Sequence, residues 1–229
     1  MKKIVVLTGA GISAESGIAT FRDADGLWEG HDVMEVASPQ GWRKNPALVL
    51  DFYNQRRKNA HDAQPNAGHQ ALAELEKYFK VTIVTQNVDN LHERAGSSNV
   101  IHIHGSLFQS RSTLDENLVY NMEGWEINLG DKCEKGSQLR PNIVWFGEMV
   151  PLMEKAVKET QDADIFLVIG TSLIVYPAAG LVHYVPDDTP IYVIDPHLPD
   201  ISPRPNLHLI EEKAGIALPR LMAEFINLA

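Results

Sequence analysis

Cysteine is almost absent from this sequence, since Cys133 is the only one in 229 residues. An intramolecular disulfide needs two cysteines, and one thiolate cannot by itself make a thiolate zinc site. The sequence therefore excludes a disulfide framework and predicts no metal site of this kind. Such sparing use of cysteine suits a reducing compartment, and we expect a cytoplasmic protein.

Long apolar runs and an excess of basic residues are missing as well. No stretch approaches the about 20 uninterrupted apolar residues that cross a membrane, and Lys2 and Lys3 lead into a strand-like run without the profile of a signal peptide. The formal net charge of −10 argues against a broad nucleic-acid-binding surface, and acidic solvated faces explain it most simply. We expect no export, no membrane and no nucleic acid; the oligomeric state stays open, and a monomer is compatible with the sequence.

What the sequence does contain is an alternation of short apolar runs and helical patterns. Its 44% hydrophobic content is enough for a sizeable core. Near-continuous β-branched runs are typical of strands covered on both faces, and they occur at 3–7, 81–84, 100–103, 143–146, 165–169 and 191–194. Helical patterns lie at 69–79 and 153–160, and a last helix has Pro219 near its start. The alternation predicts an α/β fold with a Rossmann-like, mostly parallel sheet.

Two stretches interrupt this alternation. Residues 32–68 contain another helical pattern, with Asn45 as cap and Pro46 at the first helical position, whereas residues 107–141 are polar and weakly periodic. We interpret both as insertions that form a smaller lobe. The larger, Rossmann-like lobe would then consist of residues 1–31, 69–106 and 142–229.

Glycines follow the first strand-like run. Gly9 and Gly11 allow the backbone to turn tightly and to approach a phosphate group closely. The spacing to Gly17 reads G-x-G-x5-G, however, where a Rossmann fingerprint reads G-x-G-x-x-G. Taken alone, this turn is as typical of a simple tight turn as of a dinucleotide site.

Polar residues follow two further strand-like runs. Gln86, Asn87 and Asp89 stand where open α/β sheets bind ligands, although a polar helix cap is the plainer interpretation of such a segment. His104 precedes Gly105 at a strand end, where a histidine can act as a base near neutral pH. A structural histidine is the alternative there, and it is our interpretation of His102.

The last two strand-like runs end in the same manner. Gly170, Thr171 and Ser172 form a glycine and hydroxyl turn suited to phosphate or ribose, and Asp195 ends its strand with a carboxylate that can hold ribose hydroxyls. Each segment alone is weak evidence. Their convergence on one sheet edge favours a dinucleotide site.

Taken in order, five motifs resemble those of the sirtuins, which are NAD-dependent protein lysine deacylases. The motifs are GAGISAESGIATFR (9–22), TQNVD (85–89), HG (104–105), VWFGE (144–148) and GTSLIVYPAA (170–179). The resemblance covers almost the whole chain. It also explains the odd spacing of the first motif, because the glycine turn of that family continues into a long cofactor-binding loop.

The resemblance implies that NAD is bound and consumed as a co-substrate. Four groups of residues would hold it: Gly9, Ala10, Gly11 and Ser13 near the pyrophosphate; Phe21, Arg22 and Trp28 at the nicotinamide end; Gln86, Asn87, Val88 and Asp89 at the ribose and carboxamide; and Gly170, Thr171, Ser172, Asp195 and Ala214 on the adenosine side. Relatives often have asparagine where Asp195 stands, so this ribose contact is the weakest of the set.

The resemblance also implies the reaction. The acyl-lysine carbonyl oxygen would attack the anomeric carbon of the nicotinamide ribose and expel nicotinamide, with His104 as general base and Asn87 as the other catalytic residue. His104 would then help a ribose hydroxyl to attack the resulting imidate, and water would release lysine and O-acyl-ADP-ribose. The partner is an acyl-lysine protein or peptide, bound as an added strand beside Phe146, Gly147 and Val175. Without the resemblance, the VWF segment is equally well a buried strand end.

One departure from the family pattern concerns metal. Sirtuins commonly bind a structural zinc through four cysteines, whereas here Ser110 and Ser112 stand where a first pair would lie, and only Cys133 follows. We therefore expect no zinc, a leftover thiol at Cys133, and a segment 107–141 that folds without metal and is a candidate for mobility.

Tyr53 and Arg56 bear on the acyl group. They are three residues apart on a predicted helix and so share a face, which lets a hydroxyl and a guanidinium converge on one carboxylate. A Tyr-x-x-Arg pair resembles the sirtuin branch that prefers succinyl and malonyl groups; a solvated helix face is the alternative. A small acetyl group would enter the same pocket without using Arg56.

Two other functions compete with the deacylase hypothesis. A non-catalytic module that binds NAD or ADP-ribose would not need His104, Asn87 and Asp89 together. A nicotinamide-dependent dehydrogenase would be expected to have the G-x-G-x-x-G spacing, and it would leave NAD unconsumed.

Overall fold

The computed structural model describes residues 1–20 and 27–227. Its strands are β1 (Lys3–Thr8), β2 (Leu27–Trp28), β3 (His31–Asp32), β4 (Lys80–Thr85), β5 (Val100–His102), β6 (Gly105–Ser112), β7 (Val119–Asn121), β8 (Leu139–Ile143), β9 (Ile165–Ile169), β10 (Ile191–Ile194) and β11 (Leu207–Ile210). Its helices are α1 (Gly11–Ala14), α2 (Val33–Val36), α3 (Pro39–Lys44), α4 (Pro46–Asp62), α5 (Ala67–Leu75), α6 (Leu91–Ala95), α7 (Met153–Gln161) and α8 (Ala214–Asn227), with a 3₁₀ helix over Ala178–Tyr184. Within this described part of the chain, no helix has the length and apolar character needed to cross a bilayer.

A parallel sheet with strand order β5-β4-β1-β9-β10-β11 forms the centre of the molecule. The chain builds outward from β1 on one side and then returns to place β9 on its other side. This is the strand order of a Rossmann fold, and its topological switch point lies between β1 and β9. The predicted α/β fold with a Rossmann-like parallel sheet is confirmed.

Apolar side chains cover both faces of this sheet. In β1, Ile4 and Val6 pack with residues of α5 and α8 on one face, whereas Val5 and Leu7 pack with residues of α7 and the 3₁₀ helix on the other. Because successive side chains of a strand point to opposite faces, a strand buried on both sides must be apolar throughout. This is the physical reason for the near-continuous apolar runs.

A second, antiparallel sheet has the order β7-β6-β8 and packs against α4. Asn45 caps α4 through its side chain and Pro46 begins it, as predicted. The polar, weakly periodic residues at 107–141 supply most of this sheet, and the mobility considered for them stays a prediction. Val49 and Tyr53 of α4 share a buried cluster with Leu107 and Ile143, which supports the pairing of the two insertions. The boundaries proposed for the two lobes stay a prediction.

Several predicted element boundaries were wrong. The run at 143–146 is not a strand of the parallel sheet: β8 ends at Ile143, and Trp145 is apolar because it packs into the cluster beside α4. The helix expected at 69–79 ends at Leu75, and β5 ends at His102, before the expected residue 103. Pro219 lies inside α8, as its sixth residue, and β11 was not predicted at all.

Candidate active site

A cavity of ≈ 770 Å³ opens at the carboxyl ends of the parallel strands. Because neighbouring parallel strands end at the same edge, the segments after β1, β4, β9 and β10 meet there, on both sides of the switch point. Every described residue of the predicted set lines this cavity. Those residues are Gly9, Ala10, Gly11, Ser13, Trp28, Tyr53, Arg56, Gln86, Asn87, Val88, Asp89, His104, Phe146, Gly147, Gly170, Thr171, Ser172, Val175, Asp195 and Ala214. Phe21 and Arg22 lie outside the described residues.

The glycines of the first and fifth motifs pack against each other. Gly11 N–H donates to the Gly170 carbonyl at 2.8 Å. A Cβ on Gly9 would meet the Gly170 oxygen at 2.7 Å, and one on Gly11 would meet Gly170 Cα at 2.6 Å. Gly170 itself has φ +62°, a conformation that other residues rarely adopt. The glycines thus allow two backbone loops to touch at the switch point, in addition to any approach to a phosphate.

His104 lies in the turn after β5, two residues beyond the strand end at which it was predicted. Its Nδ1 is 3.2 Å from the Gln86 carbonyl, which can only accept, so Nδ1 carries the proton and Nε2 keeps a free lone pair. Burial lowers the pKa of His104, although the Gln86 carbonyl partly offsets this. A neutral imidazole with an available Nε2 is the form that a general base requires.

His102 has both ring nitrogens engaged and does not line this cavity. Nδ1 is 2.9 Å from the Asn87 carbonyl, and Nε2 is 2.6 Å from Glu93 Oε1. Burial acts to lower the pKa of His102, but the Glu93 carboxylate outweighs it and the pKa is raised. As a donor at both nitrogens, His102 holds the Asn87 backbone in place, and its structural role stays a prediction.

Ser13, Asn87 and Asp89 form a buried network with a histidine that sequence reasoning missed. The Ser13 hydroxyl donates to Asp89 Oδ2 at 3.1 Å and accepts from Asn87 Nδ2 at 3.2 Å. His69 Nδ1 accepts from Asn66 N–H, so its Nε2 carries the proton and donates to Ser13 Oγ at 3.4 Å. Ser13 therefore uses its hydrogen-bonding capacity to position the two polar residues that it joins.

Burial sets the charge states in this network. It lowers the pKa of His69 to about 4 and raises that of Asp89. The His92 ring, 4.9 Å from that of His69, also has a pKa well below the usual value, mainly through burial, and its Nε2 lies 3.1 Å from Thr8 Oγ1. The only sequence signal for His69 was its place on the apolar face of α5, beside positions such as Leu72.

Two further polar residues line the cavity at strand ends. Gln86 Nε2 donates to Thr171 Oγ1 at 3.1 Å, which links the end of β4 to the loop after β9. Asp195, at the end of β10, is buried and accepts from His197 N–H through Oδ1 at 2.8 Å. A carboxylate in this position can hold ribose hydroxyls.

Helix α4 contributes Tyr53 and Arg56 to the lining of the same cavity. The Tyr53 hydroxyl accepts from Trp145 Nε1 at 3.1 Å, and burial raises the pKa of Tyr53 to about 12. The Arg56 side chain is 7% exposed, its guanidinium carbon lies 4.1 Å from the centre of the Trp28 ring, and its Nη1 donates to Glu29 Oε1 at 3.0 Å. Arg56 Nε is buried without a hydrogen-bond partner among the described residues.

A family model described as "Sir2 family" matches residues 9–177. The chain belongs to the Sir2 family. A Helicobacter pylori protein named NAD-dependent protein deacylase is 57% identical to this chain over 229 residues, which is 100% of both sequences. A Bacteroides thetaiotaomicron protein of the same name is 53% identical over 226 residues, covering 96% of this chain and 97% of the relative.

Solved Sir2 structures have the same fold. One described as a Sir2 homolog–NAD complex matches with a TM-score of 0.89 and 44% identity, covering 99% of this chain and 90% of the other. Another, described as Sir2 bound to acetylated peptide, matches with a TM-score of 0.80 and 28% identity, covering 97% and 92%.

The residues of this Sir2 site fit NAD. The cavity volume falls within the roughly 300–1,000 Å³ of small-molecule sites. Its polar groups suit the two ends of a dinucleotide, because Asp195 offers a carboxylate for one ribose, and Gln86 and Asn87 offer amides that both donate and accept. His104 lies on the same cavity with an uncommitted Nε2.

In this Sir2 chain the Cys133 side chain lies between two serine hydroxyls beside the small sheet. Cys133 Sγ lies 3.3 Å from the hydroxyl oxygens of both Ser112 and Ser137, which are 2.8 Å apart. Among residues 1–20 and 27–227, no group of three or more histidine, cysteine, aspartate or glutamate side chains is placed to hold a metal ion.

Proposed function

We propose that this Sir2-family chain is an NAD-dependent protein-lysine deacylase that removes succinyl and malonyl groups, and also acetyl groups, from lysine. The products are nicotinamide, the free lysine and O-acyl-ADP-ribose. The observation that carries the acyl preference is the buried guanidinium of Arg56 on the same cavity as His104.

Arg56 supports the preference through its unsatisfied hydrogen-bonding capacity. A buried donor without an acceptor costs free energy, and a charged one costs more. The Nε–H of Arg56 has no acceptor among the described residues, and a carboxylate is the acceptor that matches a guanidinium best. A succinyl or malonyl group ends in such a carboxylate, whereas an acetyl group does not.

Tyr53 takes a supporting part in this proposal. Its hydroxyl is fixed as an acceptor from Trp145, so the one proton that it carries remains as a donor. Because its pKa is raised, Tyr53 stays protonated throughout the physiological range. It therefore adds a neutral donor beside the charge of Arg56.

The described residues divide the catalytic work among them. When bound, NAD supplies an activated ribose carbon and nicotinamide as a leaving group. His104 accepts a ribose hydroxyl proton at Nε2, while Ser13 holds Asn87 and Asp89 in the orientation that places the nicotinamide end. The Asn87 and Asp89 side chains are buried, which keeps bulk water from the reacting atoms.

The peptide is proposed to bind as an extended strand at the mouth of the cavity. Phe146 and Gly147 of one motif line the cavity, and so do Val175 and its neighbours Ile174 and Tyr176. Ile174 and Tyr176 are each 69% exposed, so apolar surface is available for a partner.

We further propose that the small sheet needs no zinc. The Ser112, Cys133 and Ser137 side chains hydrogen-bond to one another, and the β7-β6-β8 ladder joins the segments that a metal would otherwise hold together. This supports a fold whose stability is independent of metal.

One experiment separates the candidate functions. The protein is incubated with NAD and acetyl-, malonyl- or succinyl-lysine peptide, and mass spectrometry follows nicotinamide and deacylated peptide. We expect peptide-dependent release of nicotinamide, with the acidic acyl groups removed faster. Binding of NAD with no turnover of any peptide would instead favour a non-catalytic NAD-binding or ADP-ribose-binding module.

A further inference from the structure

A two-residue hairpin turn places a glutamate against Arg56. Trp28 pairs with His31 across β2 and β3, leaving Glu29 and Gly30 as the turn, with φ values of +49° and +84°. Positive φ at both central positions is the pattern of a type I′ turn, which favours asparagine, aspartate or glycine at the first position. Glutamate is unfavourable in that conformation, so the turn itself gives no reason for it.

The contact with Arg56 does give a reason. Glu29 Oε1 accepts from Arg56 Nη1 at 3.0 Å, and the preceding residue, Trp28, places its ring 4.1 Å from the guanidinium carbon. The hairpin thus covers Arg56 with an aromatic face and neutralises it with a carboxylate.

The two partners of this ion pair differ in their access to water. The Arg56 side chain is 7% exposed, whereas the Glu29 side chain is 27% exposed and sits on a turn. If the ion pair separates, water can solvate the Glu29 carboxylate. Water has little access to the buried Arg56 guanidinium. A buried charge without a partner costs free energy, so a carboxylate beside Arg56 stabilises it, whichever molecule supplies that carboxylate.

We propose that Glu29 is a specificity-determining residue that stands in for the carboxylate of an acidic acyl group. This inference rests on the proposed function of Arg56. With an empty pocket or an acetyl-lysine, Glu29 keeps Arg56 neutralised; with a succinyl- or malonyl-lysine, the substrate carboxylate competes with Glu29 for the guanidinium. Glu29 therefore supports turnover of neutral acyl groups and weakens the preference for acidic ones.

Replacing Glu29 by glutamine tests this directly, because glutamine keeps the size of the side chain and removes its charge. We expect the KM for the succinyl peptide to fall about tenfold. A nearby like charge typically shifts the pKa of a carboxylate by about one unit, which is a factor of ten in an equilibrium constant, and we expect an effect of the same size on carboxylate binding. The kcat for that peptide stays unchanged, because the effect is on binding. The KM for the acetyl peptide does not fall, so the succinyl-to-acetyl ratio of kcat/KM rises about tenfold.

Glu35→Gln is the matched control. Glu35 lies on α2, is 48% exposed and pairs with Lys44 at 3.2 Å, so the same chemical change is made away from the cavity. We expect wild-type kinetics from this variant. If Glu29→Gln gives the same succinyl-to-acetyl ratio as Glu35→Gln, or lowers both activities equally through kcat, the role of Glu29 is refuted.

Arg56→Met separates this inference from the function on which it rests. If Arg56→Met selectively lowers succinyl turnover while Glu29→Gln leaves the ratio unchanged, only the inference about Glu29 fails. If Arg56→Met lowers both activities equally, the acidic acyl preference fails, and the inference fails with it. In the double variant, Glu29→Gln is expected to have no further effect on the ratio, because Glu29 acts only through Arg56; a tenfold effect that persists there would contradict the mechanism.

Discussion

Replacing Arg56 by methionine is expected to lower kcat/KM for a succinyl-lysine peptide by about 10- to 100-fold. The guanidinium is buried on the cavity that also holds His104, and its Nε lacks a partner among the described residues. A hydrogen bond to a charged group contributes about 1.5–3 kcal/mol, and each 1.36 kcal/mol corresponds to a factor of ten in rate. An acetyl peptide cannot make this contact, so its kcat/KM should change by less than about threefold.

The fold is expected to survive this substitution. Methionine is long and apolar and can lie against the Trp28 ring in place of the guanidinium. Glu29 loses its partner but is partly exposed, so water can solvate its carboxylate. Burial of Arg56 is itself costly and lowers its pKa, which means that removing the charge also removes a desolvation penalty.

The assay compares kcat/KM of the wild type and Arg56→Met for succinyl and acetyl versions of one peptide, with circular dichroism to confirm folding. Arg56→Lys is the matched control, because lysine keeps the charge but not the planar fork, and it should retain part of the succinyl activity. Equal losses for both peptides would refute the idea that Arg56 binds the acyl carboxylate.

Three further predictions concern protonation and metal. Because burial lowers the pKa of His104 and the base is the neutral imidazole, kcat/KM for the acetyl peptide should fall only below the ordinary histidine pKa of about 6.5; an acid limb above that value would contradict the assignment. Burial also lowers the pKa of His69 to about 4, so the unfolded chain takes up a proton that the folded chain does not, and stability present above about pH 6.5 is lost as pH falls towards 4. Urea unfolding at pH 7 and pH 4.5 measures this loss as a decrease in the free energy of unfolding. In His69→Gln the decrease should be smaller than in the wild type, by up to about 1.4 kcal/mol per pH unit. The same pH dependence in both proteins would argue against this role of His69. A chelator should leave the thermal midpoint unchanged because Ser112, Cys133 and Ser137 satisfy one another, and stoichiometric zinc in the purified protein would overturn the zinc-free proposal.

The sequence was most informative where strands end. Apolar runs located β1, β4, β9 and β10 to within one residue at each end, because strands buried on both faces tolerate few polar residues. Once those strands are parallel, the polar residues after them must lie at one edge. The cavity lined by Gly9, Gln86, Gly170 and Asp195 therefore followed from local patterns alone.

The small sheet was harder to predict for a physical reason. β6 and β8 pair in a ladder that buries only alternate or scattered positions, so their sequences include many polar residues and show no continuous apolar run. The run at 143–146 gave the opposite error, because it was predicted to be a strand of the parallel sheet and most of it is not a strand. It is apolar because Trp145 packs against Tyr53 and Trp42, and not because it forms a strand.

Polar contacts between residues far apart in the sequence could not be predicted from local patterns. Glu29 and Arg56 are joined only when the hairpin folds over α4, and His69 reaches Ser13 only when α5 packs against the sheet. Neither pairing has a local signal, because hydrogen-bond partners distant in sequence leave no spacing rule. These two contacts are what the structure adds to the site.

A competition experiment tests the central claim most directly. Equimolar acetyl-, malonyl- and succinyl-lysine versions of one peptide are mixed with limiting NAD, and mass spectrometry counts the O-acyl-ADP-ribose species formed. Their initial ratio equals the ratio of kcat/KM values, without separate kinetic fits. We predict that O-succinyl- and O-malonyl-ADP-ribose exceed O-acetyl-ADP-ribose in the wild type. A product mixture in which O-acetyl-ADP-ribose predominates, or in which NAD is not consumed, would contradict the account.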